Sequence, residues 1–154
     1  MLSDTKAPGD CRISIAADGT WYYNGLPIVN RTIYLFFNQH LEADGAGGYC
    51  LRINGEICPV SVQDTPFLVV DVWPEREAGS GREAFVIRLN DETCEPLDPA
   101  TLFIRPDNAP CCRVKQGRFP ARFSRPAYYR LADHVQEHPD GRFSILLNGT
   151  HYYL

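Results

Sequence analysis

The chain has 154 residues, with 15 basic and 19 acidic side chains and a formal net charge of −4. Hydrophobic residues make up 44% and charged residues 22%. This composition excludes a disordered charged tail and a wholly basic nucleic-acid binder, so no duplex nucleic acid is expected as a partner. It fits one compact domain, or two small ones sharing a core. No apolar run approaches the roughly 20 residues that span a bilayer, so no membrane partner is expected either. The opening Met1-Leu2-Ser3-Asp4-Thr5-Lys6 lacks the charged-then-apolar order of a signal peptide, and a cytoplasmic location is expected. The cysteines are Cys11, Cys50, Cys58, Cys94, Cys111 and Cys112. In a reducing compartment they are expected to be thiols, and no Cys-x-x-Cys pair supports a zinc ribbon or a thioredoxin-like site.

Cys11-Arg12-Ile13-Ser14-Ile15 alternates polar and apolar, the period of a half-buried strand. Asp18-Gly19 suits a tight turn, and Thr20-Trp21-Tyr22-Tyr23 reads as the return strand, ending at Asn24-Gly25. Ile33, Tyr34, Phe36, Phe37, His40 and Leu41 recur at helical spacing after Asn30, a candidate N-cap, which predicts an amphipathic helix over 31–43. Gly45-Ala46-Gly47-Gly48 reads as a helix-to-strand turn rather than a phosphate loop. Residues 49–53 and 56–60 flank Asn54-Gly55, the strongest local hairpin signal. In a two-residue turn Leu51 faces Cys58, so Cys50 and Cys58 project from opposite faces and neither a mutual disulfide nor a shared metal fits.

Residues 67–73, 84–89 and 102–105 are β-branched or aromatic runs and read as strands. The segment 74–82 reads as a loop. Residues 113–123 look like a strand bent at Gly117. Ser124 is a candidate N-cap, Pro126 suits a first helical turn, and Tyr128, Leu131 and Val135 continue a helical stripe. Residues 143–147, Asn148-Gly149 and 150–154 form a last hairpin.

The two halves resemble each other. Shifted by 94 positions, Arg31 falls on Arg125, Tyr34 on Tyr128, His40 on His134, Gly47 on Gly141, and Asn54-Gly55 on Asn148-Gly149. Asn24-Gly25 matches Gln116-Gly117 if the second copy carries two extra residues. A strand–helix–hairpin unit therefore occurs twice. Each copy is too small to bury a core alone, so a cleft between two parts is the expected place for a ligand.

Three stretches carry a family resemblance: Asp18-Gly19-Thr20-Trp21-Tyr22-Tyr23-Asn24-Gly25-Leu26-Pro27-Ile28, Asp64-Thr65-Pro66-Phe67-Leu68-Val69-Val70, and Ala121-Arg122-Phe123-Ser124-Arg125-Pro126-Ala127-Tyr128-Tyr129. Together they resemble the bacterial domain-of-unknown-function family 1285 over residues 11–154. Thr65 stands where the family pattern has Ala, and residues 90–94 match its T-N-x-G-D-x-V stretch weakly. The resemblance implies an α+β fold with a duplicated motif and a C-terminal part that is a pleckstrin-homology-like β-sheet with a helix. It also implies a ligand site between the two parts, for a nucleotide-like molecule, with a role in signalling and no established enzymatic activity. The division is expected at 1–62 and 63–154.

The basic run Arg105, Arg113, Lys115, Arg118, Arg122, Arg125 and Arg130 contains Asp107 as its only acid and is interleaved with Phe119, Phe123, Tyr128 and Tyr129. Arginine forks and stacking rings suit a ligand bearing a phosphate and a base. The bland alternative is a solvated strand face paired with acids of neighbouring strands. His134 and His138, four apart on the last helix, and His151 could hold a metal, but a structural role is preferred and no metal or cofactor is expected. Cys111-Cys112 points to opposite strand faces, and a redox role would need Arg113 to lower a thiol pKa. Trp21, Tyr22, Tyr23, Phe67 and Trp73 are read first as packing. No P-loop, Gly-x-Ser-x-Gly or His-Glu-x-x-His motif is present. The expectation is a non-enzymatic binding module for a small anionic, nucleotide-like ligand, at a cleft lined by Trp21, Tyr23, Pro66, Phe67, Arg122 and Arg125. The alternative is a protein-interaction adaptor using the pleckstrin-like surface.

Overall fold

A computed structural model describes residues 12–154; Cys11 and residues 1–6, on which two of the expectations above fall, lie outside the described residues. The chain forms two compact units, Met1–Pro66 and Phe67–Leu154. The division at 62/63 marks the end of the last strand of the first unit, and residues 63–66 lead on to the second. Both units are α+β, with strands predominating.

The first unit contains β1 (Ile13–Ile15), β2 (Trp21–Tyr23), β3 (Leu26–Pro27), α1 (Arg31–Gln39), β4 (Leu41–Ala43), β5 (Tyr49–Ile53) and β6 (Glu56–Val62). Its sheet has the order β3-β2-β1-β6-β5-β4. Neighbours are antiparallel except β1 and β6, which run parallel with Ile13 opposite Val60. Ile13, Ile15, Trp21, Leu41, Leu51 and Val60 form its buried core. The Asn30 side chain accepts from Ile33 N, which caps α1 as expected.

The helix ends at Gln39 rather than 43. The His40 N–H closes on Phe37 O, and Leu41 pairs with Leu51 in β4, so the stripe that reads as a fourth helical turn is strand burial. The loop 44–48 therefore joins two strands, with Ala46 N and Gly48 N both donating to Asp44 Oδ1. The Asn54-Gly55 hairpin has the expected register, Leu51 opposite Cys58 and Arg52 opposite Ile57. Cys50, Cys94, Cys111 and Cys112 are thiols, whereas Cys58 is disulfide-bonded, which corrects the all-thiol expectation there.

The second unit contains β7 (Phe67–Arg76), β8 (Glu83–Leu89), β9 (Cys94–Pro96), a 3-10 turn at Pro99–Thr101, β10 (Phe103–Ile104), β11 (Pro110–Val114), β12 (Phe119–Phe123), α2 (Arg125–Ala132), β13 (Val135–Glu137), β14 (Phe143–Leu147) and β15 (Thr150–Tyr153). One sheet has the order β10-β11-β12-β7-β8-β9, and the β13-β14-β15 meander forms another. The strand β7 runs through Pro74 to Arg76, three residues into the segment read as loop, because Pro74 pairs opposite Phe85 in a long hairpin. Residues 110–123 are two antiparallel strands rather than one bent strand, with Val114 opposite Phe119. The β7 and β12 pair is parallel and sets Phe67 beside Ala121. Phe67, Val69, Phe119, Ala121 and Phe123 bury this seam, each large side chain contributing about 1.5–3 kcal/mol.

A similar order of elements occurs twice along the backbone. Each copy is three strands, a helix and a three-strand meander: β1-β2-β3-α1-β4-β5-β6, and β10-β11-β12-α2-β13-β14-β15. Ser124 caps α2 on Ala127 N as Asn30 caps α1 on Ile33 N. His134 N closes on Leu131 O as His40 N closes on Phe37 O, and His138 N bonds Arg142 O as Asp44 N bonds Gly48 O. The two runs differ in strand pairing. The last strand of the first copy, β6, joins β1, whereas β12 pairs with β7 and the second meander stays separate.

Candidate functional site

The basic run is mostly consumed internally. Arg105 pairs with Asp107, Lys115 with Asp91, and Arg130 of α2 with Asp71 of β7. Arg122 Nη1 donates to Phe123 O at 3.3 Å. This agrees with the bland reading for much of the run. Two arginines behave differently, and they meet at the β11–β12 turn.

That turn spans residues 115–118. Lys115, Gln116 and Gly117 have φ of 56°, 61° and 78°, so two side-chain-bearing residues sit in the left-handed region beside a glycine that adopts it without strain. Lys115 holds the conformation. Its N–H donates to the Glu95 carboxylate at 3.1 Å, and its Nζ reaches Asp91 Oδ2 at 2.7 Å and Thr93 Oγ1 at 3.0 Å. The same Nζ lies 5.3 Å from the centre of the Phe67 ring.

Arg113 Nε donates to Gly117 O at 2.9 Å, and Arg118 Nε donates to Lys115 O at 3.0 Å. Each guanidinium is thus pinned by its inner N–H to a carbonyl of one turn, which leaves the outer fork to other partners. Pinning removes rotamer freedom before a ligand arrives. Both arginines line a cavity of about 590 Å³ together with Glu95, Asp98, Lys115 and Gly117. Glu95 comes from β9, and Asp98 caps the 3-10 turn through Ala100 N. A volume of this size suits a small ligand.

The six residues expected to line a cleft divide by burial. Trp21 is 1% exposed; its indole N–H donates to Asn38 Oδ1 at 2.9 Å, and its ring meets Phe37 edge-on at 5.5 Å. Phe67 is 1% exposed and packs on Phe119 with ring centres 5.2 Å apart, and Pro66 is fully buried. These three are packing residues with no face turned to solvent, in line with the packing reading of the aromatics. Tyr23 and Arg125 are exposed and Arg122 is half-buried. Arg125 opens α2, with Tyr128 and Tyr129 three and four residues on and their rings stacked 5.8 Å apart.

The placement of His134 and His138 on the last helix is corrected. The helix α2 ends at Ala132, so His134 and His138 share no helix face. His134 packs edge-on against Phe85 at 5.0 Å. His138 Nε2 lies 2.7 Å and His151 Nδ1 lies 3.0 Å from the fully buried Ser144 hydroxyl. Among the described residues no group of three or more His, Cys, Asp or Glu side chains is placed to hold a metal. The condition set for a redox role of Cys111 and Cys112, a thiol pKa lowered by Arg113, is not met at Cys112. Both are fully buried, and burial pushes the Cys112 thiol up to about 12, with Cys111, Glu95 and Asp98 adding to the effect. Arg113 does not offset this.

Sequence reasoning missed Glu95 and Asp98. Asp98-Pro99 carried a signal, an N-cap residue before a first-turn proline, but Cys94-Glu95-Pro96 is too short to read as a strand. No helix among the described residues is long and apolar enough to cross a membrane.

No protein-family model matches the chain, and no curated protein does. Among solved structures, the crystal structure of a DUF1285 family protein from Silicibacter pomeroyi DSS-3 is similar with a TM-score of 0.78 and 24% identity, over 100% of this chain and 86% of that one. A DUF1285 family protein from Shewanella baltica OS155 is similar with a TM-score of 0.64 and 23% identity, over 79% of this chain and 91% of that one. The resemblance carried by the three sequence stretches thus has its structural counterpart, and the chain shares the fold of DUF1285 family proteins.

Proposed function

We propose that the protein is a non-catalytic binding module whose second unit takes a small anionic ligand at the cavity of the β11–β12 turn. The observation that carries this reading is the pair of guanidinium groups, Arg113 and Arg118, fixed by Nε to Gly117 O and Lys115 O beside one cavity. Fixed forks match the planar oxygens of a carboxylate or phosphate. A catalytic role has less support. The Ser144 hydroxyl that His138 approaches is fully buried on β14, where a substrate has no access. A role in signalling, with the second unit serving as a pleckstrin-homology-like sheet and helix, is the finer form of the proposal; the order β7 to β12 followed by α2 supports the sheet-and-helix part of it.

The test is thermal stability against nucleotides, cyclic dinucleotides and phosphorylated metabolites. A ligand at 100 times its Kd adds about 2.7 kcal/mol of stability. The Arg113→Ala/Arg118→Ala variant is expected to fold and to lose the stabilisation. Stabilisation that persists in that variant, and disappears instead in Arg125→Ala, would move the site to the α2 face.

A second reading, an interaction adaptor, has its own observation. The edge strand β10 exposes Phe103 and Ile104, and Ile104, Tyr128 and Phe143 line a cavity of about 610 Å³. An apolar rim beside an open strand edge suits an extended peptide. Co-purification of a protein that Ile104→Lys releases would favour it.

A further inference from the structure

The Arg113–Arg118 cavity also carries two carboxylates, and their placement narrows the ligand class; this step rests on the anion-binding reading. Glu95 and Asp98 line the same cavity as the two arginines. Among the described residues neither acid forms a salt bridge with either arginine, so the four charges do not cancel by direct contact. The Lys115 ammonium is already matched by Asp91, which lies outside the cavity lining. Two positive and two negative groups therefore remain.

Each acid is held in place. The Glu95 carboxylate accepts the Lys115 N–H, at 3.3 Å from Oε1 and 3.1 Å from Oε2. Asp98 Oδ1 accepts from Ala100 N at 3.2 Å. A carboxylate has about four acceptor positions, so both keep capacity for a further donor. A ligand carrying only negative charge would meet as many like charges as opposite ones. A ligand with an oxyanion at one end and an ammonium group at the other meets both pairs favourably.

We infer that the cavity takes a small zwitterion: a phosphate or carboxylate on the Arg113 and Arg118 forks, and an ammonium group on Glu95 and Asp98. A polyphosphate is then a poor occupant, because its added charge falls against the two acids.

Calorimetric titration of the full chain with phosphoethanolamine and with ethyl phosphate tests this. The two probes share the phosphate monoester and differ in the ammonium group. The expected result is at least tenfold tighter binding of phosphoethanolamine. In Glu95→Gln/Asp98→Asn, which keeps an acceptor for Lys115 N–H and a competent cap, that preference should vanish while ethyl phosphate still binds. Ethyl phosphate binding as tightly as phosphoethanolamine to the unaltered protein would overturn the zwitterion inference and leave the anion reading standing. A preference that survives in the double variant would also overturn it. Binding of neither probe would overturn both.

Discussion

The Lys115 ammonium nitrogen lies 2.7 Å from Asp91 Oδ2 and ties the β11–β12 turn to the turn between β8 and β9. The Asp91 side chain is only 4% exposed and also accepts from Thr93 N and Thr93 Oγ1. A carboxylate so placed depends on its counter-charge. Replacement of Lys115 by Met is expected to cost about 2 kcal/mol, below the roughly 3–5 kcal/mol of a fully buried pair, because Lys115 is 21% exposed. The urea midpoint should fall with no change in slope. The substitution also frees the turn that anchors Arg113 and Arg118, so ligand binding should weaken without loss of the fold.

Burial raises the Cys112 thiol from an ordinary 9.0 to about 12. The sign follows from which state ionises first. Between pH 9.0 and about 12 the unfolded chain releases this proton and the folded chain retains it, so the contribution to stability is complete below 9.0 and is lost as pH rises through that window. Cys112→Ala should flatten the alkaline limb of stability against pH, measured by denaturant titration. At neutral pH a thiol reagent should modify the exposed Cys94 first, while Cys111 and Cys112 react only when the protein opens.

The acid limb has a different origin. Backbone N–H groups of Ala46 and Gly48 hold the Asp44 carboxyl below its usual range. Its contribution is present above the ordinary carboxylate pKa and is lost as pH falls through the lowered folded value. The stability difference between the protein and Asp44→Asn should therefore be largest near neutrality and shrink toward acid. A Cβ at Gly48 would stand 2.7 Å from Asp44 Oδ2, so Gly48→Ala should show the same acid dependence in the same measurement.

The two Asn-Gly turns offer an internal control. Asn54-Gly55 and Asn148-Gly149 have matching left-handed φ values, 52° and 80° against 52° and 81°. Among the described residues, the second alone has its Asn side chain bonded to a neighbouring strand. Asn148 Oδ1 accepts from Glu83 N at 2.7 Å, and its Nδ2 donates to Glu83 O at 2.9 Å. Asn54→Ala should cost the turn preference alone, and Asn148→Ala about 1–2 kcal/mol more. Equal losses in paired denaturation experiments would show that the Glu83 contacts contribute nothing.

What was legible in the sequence was local. Both N-caps, both Asn-Gly hairpins and the Leu51–Cys58 register follow from short-range rules, and the 94-residue repeat multiplies each signal by two. The misreadings were also duplicated. Leu41 and Val135 each continue a helical stripe, yet each opens a strand, because alternate burial in a short strand satisfies the same spacing. The β11–β12 hairpin was hidden because Lys115 and Gln116 are not residues that announce a left-handed turn. Their conformation depends on Asp91 and Glu95, some 20 positions away. The candidate cavity lay beyond reach for the same reason: its arginines were visible as a run, but its acids arrive from β9 and the 3-10 turn.

The parallel β1–β6 contact fixes an order of events during synthesis. The strand β6 lies between β1 and β5 in the sheet although it is the last strand of its unit. Until residue 62 has left the ribosome, the first three strands and the β4–β5 pair have nothing to join them, and each alone is too small to persist. Nascent chains stalled upstream of that strand should thus be protease-sensitive throughout, with protection gained in one step once it emerges.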